Sequence, residues 1–220
     1  MNNPFTIIYM NLKRILFSLL VITALSNSHA QDSKSVITDL AHKMFVDVLN
    51  KDFDAIIDMT HPKVFDIAPK DQIKEVFKMT FEGNDEFSIE MFDKIPEYKV
   101  SEVFKGAENN LEYAFVSYDM RMKMTFNNQE FDDESKEMMT SMMKAQGMDI
   151  TFISNSTMDV LLKDSLTIML KEDATNNQWV MVNYDADSPL FYQVVSSDLI
   201  EKAKEYKQNL MLESKKKSED

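Results

Sequence analysis

Two histidines, His42 and His61, are the candidates for acid–base or metal chemistry beyond residue 30 of this 220-residue chain. His61 stands directly before Pro62, and the residue before a proline avoids the helical region, so a helix is expected to stop there. One histidine with a single distant partner lacks the ligand spacing of a zinc site. The sequence therefore predicts a solvated turn residue at His61 and no metal site.

The chain also contains 18 methionines, whose thioethers provide a second kind of chemistry. Met138, Met139, Met142 and Met143 are spaced three and four residues apart, which brings side chains together on one helix. Thioethers favour Cu(I), whereas flexible methionines commonly fill irregular cores and adaptable contact surfaces. The sequence predicts core packing or an exposed, partner-facing surface for these four residues, with Cu(I) binding as an alternative.

Several common catalytic devices are absent from the sequence. The chain has no cysteine, and its three glycines are isolated, so it has neither a cysteine nucleophile nor a glycine-rich phosphate loop. No serine stands in a nucleophile elbow. We therefore commit to no catalytic residue and expect no cofactor.

The N-terminal thirty residues predict an export signal. Lys13 and Arg14 precede an apolar stretch, residues 15–25, that is too short for a stable membrane span. Ser28 and Ala30 then supply the small residues that a signal peptidase needs. We expect cleavage between Ala30 and Gln31 and a periplasmic or extracellular destination, with either Met1 or Met10 as the start.

Charge and cysteine content narrow the expected partners. The net charge of −13 becomes −15 once Lys13 and Arg14 are removed, which disfavours binding to nucleic acid or anionic lipid. Without cysteine there is neither a disulfide nor a site for a lipid anchor after cleavage. The expected partner is an apolar small molecule or an exported protein.

The elements that must position these residues follow from hydrophobic periodicity. Residues 31–212 are expected to form one α+β domain, and residues 213–220 a charged flexible tail. Helices are predicted at 35–49, at 54–59 and from Pro69, and then as an insertion from Asp133 to Gly147 and a closing helix from Asp198 with a capping box to Glu201. Strands are predicted at 87–91, 98–104, 111–126, 149–153, 158–162, 165–171 and 179–184.

This element order resembles the nuclear-transport-factor-like, or SnoaL-like, cone fold. The resemblance is carried by residues 45–57, by Val64-Phe65-Asp66, by residues 70–77 and by Trp179-Val180-Met181-Val182, which are similar to that family's helices, aspartate turn and last strand. It implies N-terminal helices packed on a curved antiparallel sheet, around an apolar pocket. Dimerisation through the open sheet is common in the superfamily, so a homodimer is a further expectation.

The resemblance implies a pocket more directly than a reaction. It places Phe45, Asp66, Tyr118, Met120 and Trp179 at the pocket. Asp66 matches the aspartate base of ketosteroid isomerase, a member of the superfamily, but an aspartate just after a helix–turn segment is more often a cap or turn residue. Phe45 stands where the isomerase has a tyrosine donor for the oxyanion, and it has no donor. The sequence thus favours a non-catalytic binding module, with an isomerase or dehydratase using Asp66 as the alternative.

Overall fold

The computed structural model describes residues 33–92, 94–189 and 191–219. The predicted signal peptide lies outside these residues. Seven α-helices, one 3-10 helix (Asp173–Thr175) and seven strands are formed within them. In chain order the α-helices and strands are α1 (33–50), α2 (Phe53–Met59), α3 (Val64–Ile67), α4 (Lys70–Glu82), β1 (Phe87–Met91), β2 (Tyr98–Val100), β3 (Phe104–Lys105), β4 (Glu112–Phe126), α5 (Asp133–Ala145), β5 (Met148–Phe152), β6 (Thr157–Lys171), β7 (Val180–Asn183), α6 (Phe191–Val194) and α7 (Ser197–Glu219). The prediction of an α+β fold with N-terminal helices, an antiparallel sheet, an inserted helix and a C-terminal helix is confirmed.

Two long antiparallel strands, β4 and β6, form the centre of the sheet and pair along almost their whole length. On its other edge, β4 pairs with β3, β2 and β1 in turn. The outer edge of β6 pairs with β5 at one end and with β7 at the other. Each end of the central pair is therefore widened by short strands, which leaves the middle of β4 less covered.

A β-bulge interrupts the central pair. Tyr118 lies opposite Ser165 and Met120 opposite Leu162, so Asp119 alone faces two residues of β6. The extra residue, Asp164, has a φ of 52°, in the left-handed region. Because side chains alternate along a strand, the extra residue changes which side chains of β6 share a face with β4.

The change of alternation lets β6 contribute apolar residues to both faces of the sheet. Before the bulge, Met158, Val160 and Leu162 pack beneath α5. After it, Leu166 and Ile168 belong to the opposite face, where α6 and α7 cover them. Helices α1 and α2 pack on the first face near Ala114 and Val116 of β4, with α4 at their edge.

Several element boundaries differ from those predicted. The predicted strands 158–162 and 165–171 are one strand, β6, which the bulge bends without ending. Helix α7 begins at Ser197, and its N-cap is Ser196, whose hydroxyl accepts from the N–H of Leu199 over 3.4 Å, so the predicted capping box at Asp198 is wrong. Helix α5 ends as predicted, with Gly147 at a φ of 79°. None of the described helices has the length and apolar composition needed to cross a bilayer.

Candidate functional site

A cavity of about 700 Å³ opens beside the middle of β4. Strand β1 pairs with β4 from residue 122 onward and β2 pairs with it up to Tyr118. Residues 119–121 of β4 therefore have no strand neighbour on this edge among the described residues. The cavity occupies this break in the sheet edge.

Residues from six parts of the chain line the cavity. They are Phe45, Val48 and Leu49 of α1; Met91 and Phe92 at the end of β1; residues 94–99; residues 117–121 of β4; Lys163 and Asp164 at the bulge; and Leu210, Glu213 and Ser214 of α7. Since they are far apart in sequence, the cavity forms only when the sheet and both covering helices are assembled.

Aromatic rings form one wall. The ring of Phe45 lies 5.1 Å from that of Tyr98 and 4.8 Å from that of Tyr118, between centroids, and meets Tyr118 edge-on at 82°. Such T-shaped contacts are favoured by the ring quadrupoles. The thioethers of Met91 and Met120 extend the same apolar surface toward the helix α5.

Tyr118 connects this wall to a chain of polar side chains that runs through the buried Thr167 to the exposed Asn183. Its hydroxyl lies 3.3 Å from that of Thr167, which donates over 2.9 Å to the Asn183 side chain. Burial raises the pKa of Tyr118, because the phenolate would lose its hydration there. The hydroxyl therefore stays protonated at neutral pH and is held toward β6.

Charged side chains surround the mouth. Lys94, Glu97 and Lys99 are exposed at one side. Arg121 donates from Nε to Asp159 Oδ1 over 2.8 Å, and its guanidinium lies 5.3 Å from the ring centroid of Phe92. The cavity thus has an apolar interior and a rim with both signs of charge.

Helix α7 is attached to the bulge and forms the wall opposite α1. Ser214 donates its hydroxyl to the Asp164 carboxylate over 2.6 Å. The Lys207 ammonium donates to the backbone carbonyl of Asp164, and partial burial lowers the pKa of Lys207. Because these contacts hold Leu210 at the cavity, the bulge sets the position of the helical wall as well as the bend of β6.

Three of the five residues predicted for the pocket, Phe45, Tyr118 and Met120, line the cavity. Asp66 is exposed on α3 and lines neither this cavity nor a second one, of about 240 Å³, beside α3 and β7. Trp179 also lies outside both linings; it is half-buried and packs against the core cluster beneath α1, with the Lys171 ammonium 5.3 Å from its ring centroid. The structure thus brings three of the five predicted pocket residues to one cavity and places the other two elsewhere.

Sequence reasoning missed the residues that complete the cavity, above all Tyr98, Asp164 and Leu210. Tyr98 follows Pro96 at the start of a short strand, which gave no reason to place it opposite α1. Asp164 interrupts an otherwise apolar series of even-numbered residues in β6, and aspartate tolerates positive φ, a pattern that fits either a bulge or a turn between two strands. Leu210 lies on the closing helix, and the periodicity of a helix does not indicate which element its apolar side chains contact.

The four methionines of α5 do not act as one surface. Met138 and Met142 are 67% and 56% exposed. Met139 and Met143 instead pack against the sheet, in a cluster that includes Met122 and Met158. The exposed pair alone remains available to a partner.

The prediction of a solvated His61 is wrong, since the side chain is 1% exposed. Its Nδ1 accepts from the N–H of Lys63 over 3.1 Å, so Nε2 carries the proton and donates to Glu172 Oε1 over 3.3 Å. Burial lowers the pKa of His61 because the imidazolium would lose its hydration, although Glu172 partly opposes this. This pair ties the α2–α3 connection to the end of β6.

No group of three or more histidine, cysteine, aspartate or glutamate side chains that could hold a metal ion occurs in the described part of the chain. No protein-family model, no curated protein and no solved structure matches the chain. The cavity is therefore the feature from which a function has to be argued.

Proposed function

We propose that the protein is an exported, non-catalytic binding domain that takes an amphipathic small molecule into the cavity beside β4. The observation that carries the proposal is the cavity itself, whose volume of about 700 Å³ falls within the range typical of small-molecule sites. Its apolar interior and charged rim match a ligand with an apolar body and a polar head.

The apolar part of the ligand would contact the half-buried Val48, Tyr98 and Met120, which line the cavity. Removing apolar surface from water supplies most of the affinity for such a ligand, at about 25 cal/mol per Å². The rim charges of Lys94 and Lys99 would orient an anionic head, and Glu97 a cationic one. Binding alone accounts for these features, because each is a contact surface and none requires a reaction.

The cavity does not bring together the base and the oxyanion donor that an isomerase of the resembled kind needs. Asp66, the base that the resemblance implies, is exposed and outside the cavity lining. Phe45 occupies the cavity wall without a hydrogen-bond donor. The two carboxylates at the bulge are already engaged, Asp119 with a backbone N–H and Asp164 with the Ser214 hydroxyl.

Binding can be tested with the neutral fluorophore N-phenyl-1-naphthylamine, whose emission rises in apolar surroundings. We expect saturable binding by the wild type and loss of binding in Val48→Trp, which places an indole in the cavity. Val36→Trp is the matched control, since Val36 is on the same helix, is 41% exposed and does not line the cavity. Equal binding by both variants, or none by the wild type, would reject the proposal.

Export is tested separately by expressing the full chain in a bacterium and measuring the intact mass of the protein outside the cytoplasm. The expected mass is that of a chain whose first residue is Gln31. An uncleaved protein that stays in the cytoplasm would remove export from the proposal and leave the cavity argument in place.

A further inference from the structure

We propose that the cavity is also a modification site: oxidation of Met91 and Met120 to methionine sulfoxide weakens binding of its ligand. This inference rests on the proposed binding function and adds its regulation. Both methionines line the cavity.

The sheet geometry places the two thioethers together. Met91 lies opposite Met122 in the β1–β4 pairing, and Met120 is two residues from Met122 along β4. Met91 and Met120 are therefore diagonal neighbours on one face of the sheet, where side chains are within reach of each other. They lie at the boundary between the cavity and the apolar cluster beneath α5.

Their place in the cavity lining separates these two residues from the other half-buried methionines of the cluster, Met124, Met139 and Met143. Met91 and Met120 are themselves half-buried and line a cavity that is open to solvent, so water and a small oxidant can reach them. Met122 and Met158 are 8% and 1% exposed, so they are protected while the chain is folded. Met138 and Met142 are more exposed than all of these methionines, but they lie outside the cavity lining.

The reaction needs only a two-electron oxidant such as hydrogen peroxide. The thioether sulfur attacks one peroxide oxygen, an S–O bond forms, the O–O bond breaks, and water leaves. The sulfur loses two electrons and the peroxide gains them. The product is a polar sulfoxide in place of an apolar thioether, and sulfoxide reductases reverse the change.

A sulfoxide in the wall would face the apolar part of the ligand. Its oxygen would lose hydrogen bonds to water when the ligand enters and would gain none from an apolar surface. We therefore expect oxidation of Met91 and Met120 to weaken binding of N-phenyl-1-naphthylamine by about tenfold.

The test compares three proteins before and after mild peroxide treatment: the wild type, Met91→Leu/Met120→Leu, and Met138→Leu/Met142→Leu as the matched control. Leucine keeps the apolar volume and cannot be oxidised. Mass spectrometry locates the sulfoxides, and circular dichroism confirms that each protein stays folded. Each treated protein is compared with its own untreated sample: the dissociation constant should rise in the wild type and in the control, whereas that of Met91→Leu/Met120→Leu should stay at the variant's own untreated value, whatever that value is.

The inference is overturned if Met91 and Met120 stay unoxidised in the folded wild type, if their oxidation leaves the dissociation constant unchanged, or if the double leucine variant loses affinity equally. Failure of the untreated wild type to bind the probe would instead reject the proposed binding function. The two failures are therefore distinguishable.

Discussion

The backbone N–H of Asp164 donates to the Asp119 carboxylate across the central strand pair, at 2.8 Å. Asp119 is the single β4 residue that faces two residues of β6, Lys163 and Asp164. It therefore supplies the partner that an unpaired bulge N–H would otherwise lack. The contact keeps the bend of β6 in place beside the cavity.

The left-handed conformation of Asp164 gives the first prediction. Its φ of 52° is tolerated by aspartate and glycine but opposed by a β-branched side chain. We expect Asp164→Val to lower the free energy of unfolding by about 1–2 kcal/mol. Asp164→Gly should lower the free energy of unfolding by less, because glycine adopts this φ freely and only the side-chain contact with Ser214 is lost. Urea unfolding measures both, and a glycine variant less stable than the valine variant would contradict the assignment.

The buried His61 predicts a pH dependence of stability. Because burial lowers the pKa of His61 in the folded protein, the unfolded chain takes up this proton at a higher pH. Stability should therefore be complete above the unfolded pKa of about 6.5 and fall as the pH drops toward the folded value. His61→Asn keeps an acceptor for the Lys63 N–H and removes the titration.

Denaturant midpoints at several pH values between 5 and 8 test this. The wild type should lose more stability on acidification than His61→Asn does. His42→Asn, which alters an exposed histidine on α1, is the matched control. Parallel curves for the wild type and His61→Asn would show that His61 does not titrate on unfolding.

Helix α7 offers a matched pair of leucines. Leu199 is 2% exposed and packs in the core beneath α6 and α7, so Leu199→Ala should cost about 2–5 kcal/mol. Leu212, on the same helix, is 58% exposed, and Leu212→Ala should change stability by less than about 0.5 kcal/mol. Thermal and urea unfolding of both variants check this. Similar costs at the two positions would mean that α7 is rotated from the orientation described.

The two sides of α5 can be separated in the same way. Met143 packs against the sheet, so Met143→Gln should lower the free energy of unfolding by about 1 kcal/mol through a polar group placed in an apolar cluster. Met142→Gln, one residue earlier and 56% exposed, should have almost no effect. If Met142→Gln lowered the free energy of unfolding more than Met143→Gln, the side of α5 that faces the sheet would be the opposite of the one described.

The positions of most helices and strands could be predicted from the sequence, because each depends mainly on residues close together in the chain. Hydrophobic periodicity predicts a strand at 111–126, which is almost the range of β4, and Gly147 predicts the end of α5, where its φ is positive. The bulge was harder to predict from the sequence, since an apolar run on each side of Asp164 fits two short strands as well as one bent strand. Only the pairing with β4 distinguishes them.

The site was harder to predict because its residues meet only in the assembled fold. Phe45, Tyr118 and Met120 were assigned to the pocket from the resemblance, and they line the cavity. Nothing local indicates that Leu210 joins them, or that Glu172, distant in sequence, makes a buried partner for His61. A histidine before a proline is more often solvated, so its burial required knowledge of what packs above it.

The break in the edge of β4 has a consequence for how the protein can diversify. Residues 94–97 form part of the cavity rim but take no part in strand pairing among the described residues. Lys94 and Glu97 are exposed, so substitutions there would leave the pairing of β1 and β2 with β4 intact. For the proposed binding function, this means that the rim can change its charge, and with it the polar head of the ligand that it accepts, while the sheet is retained.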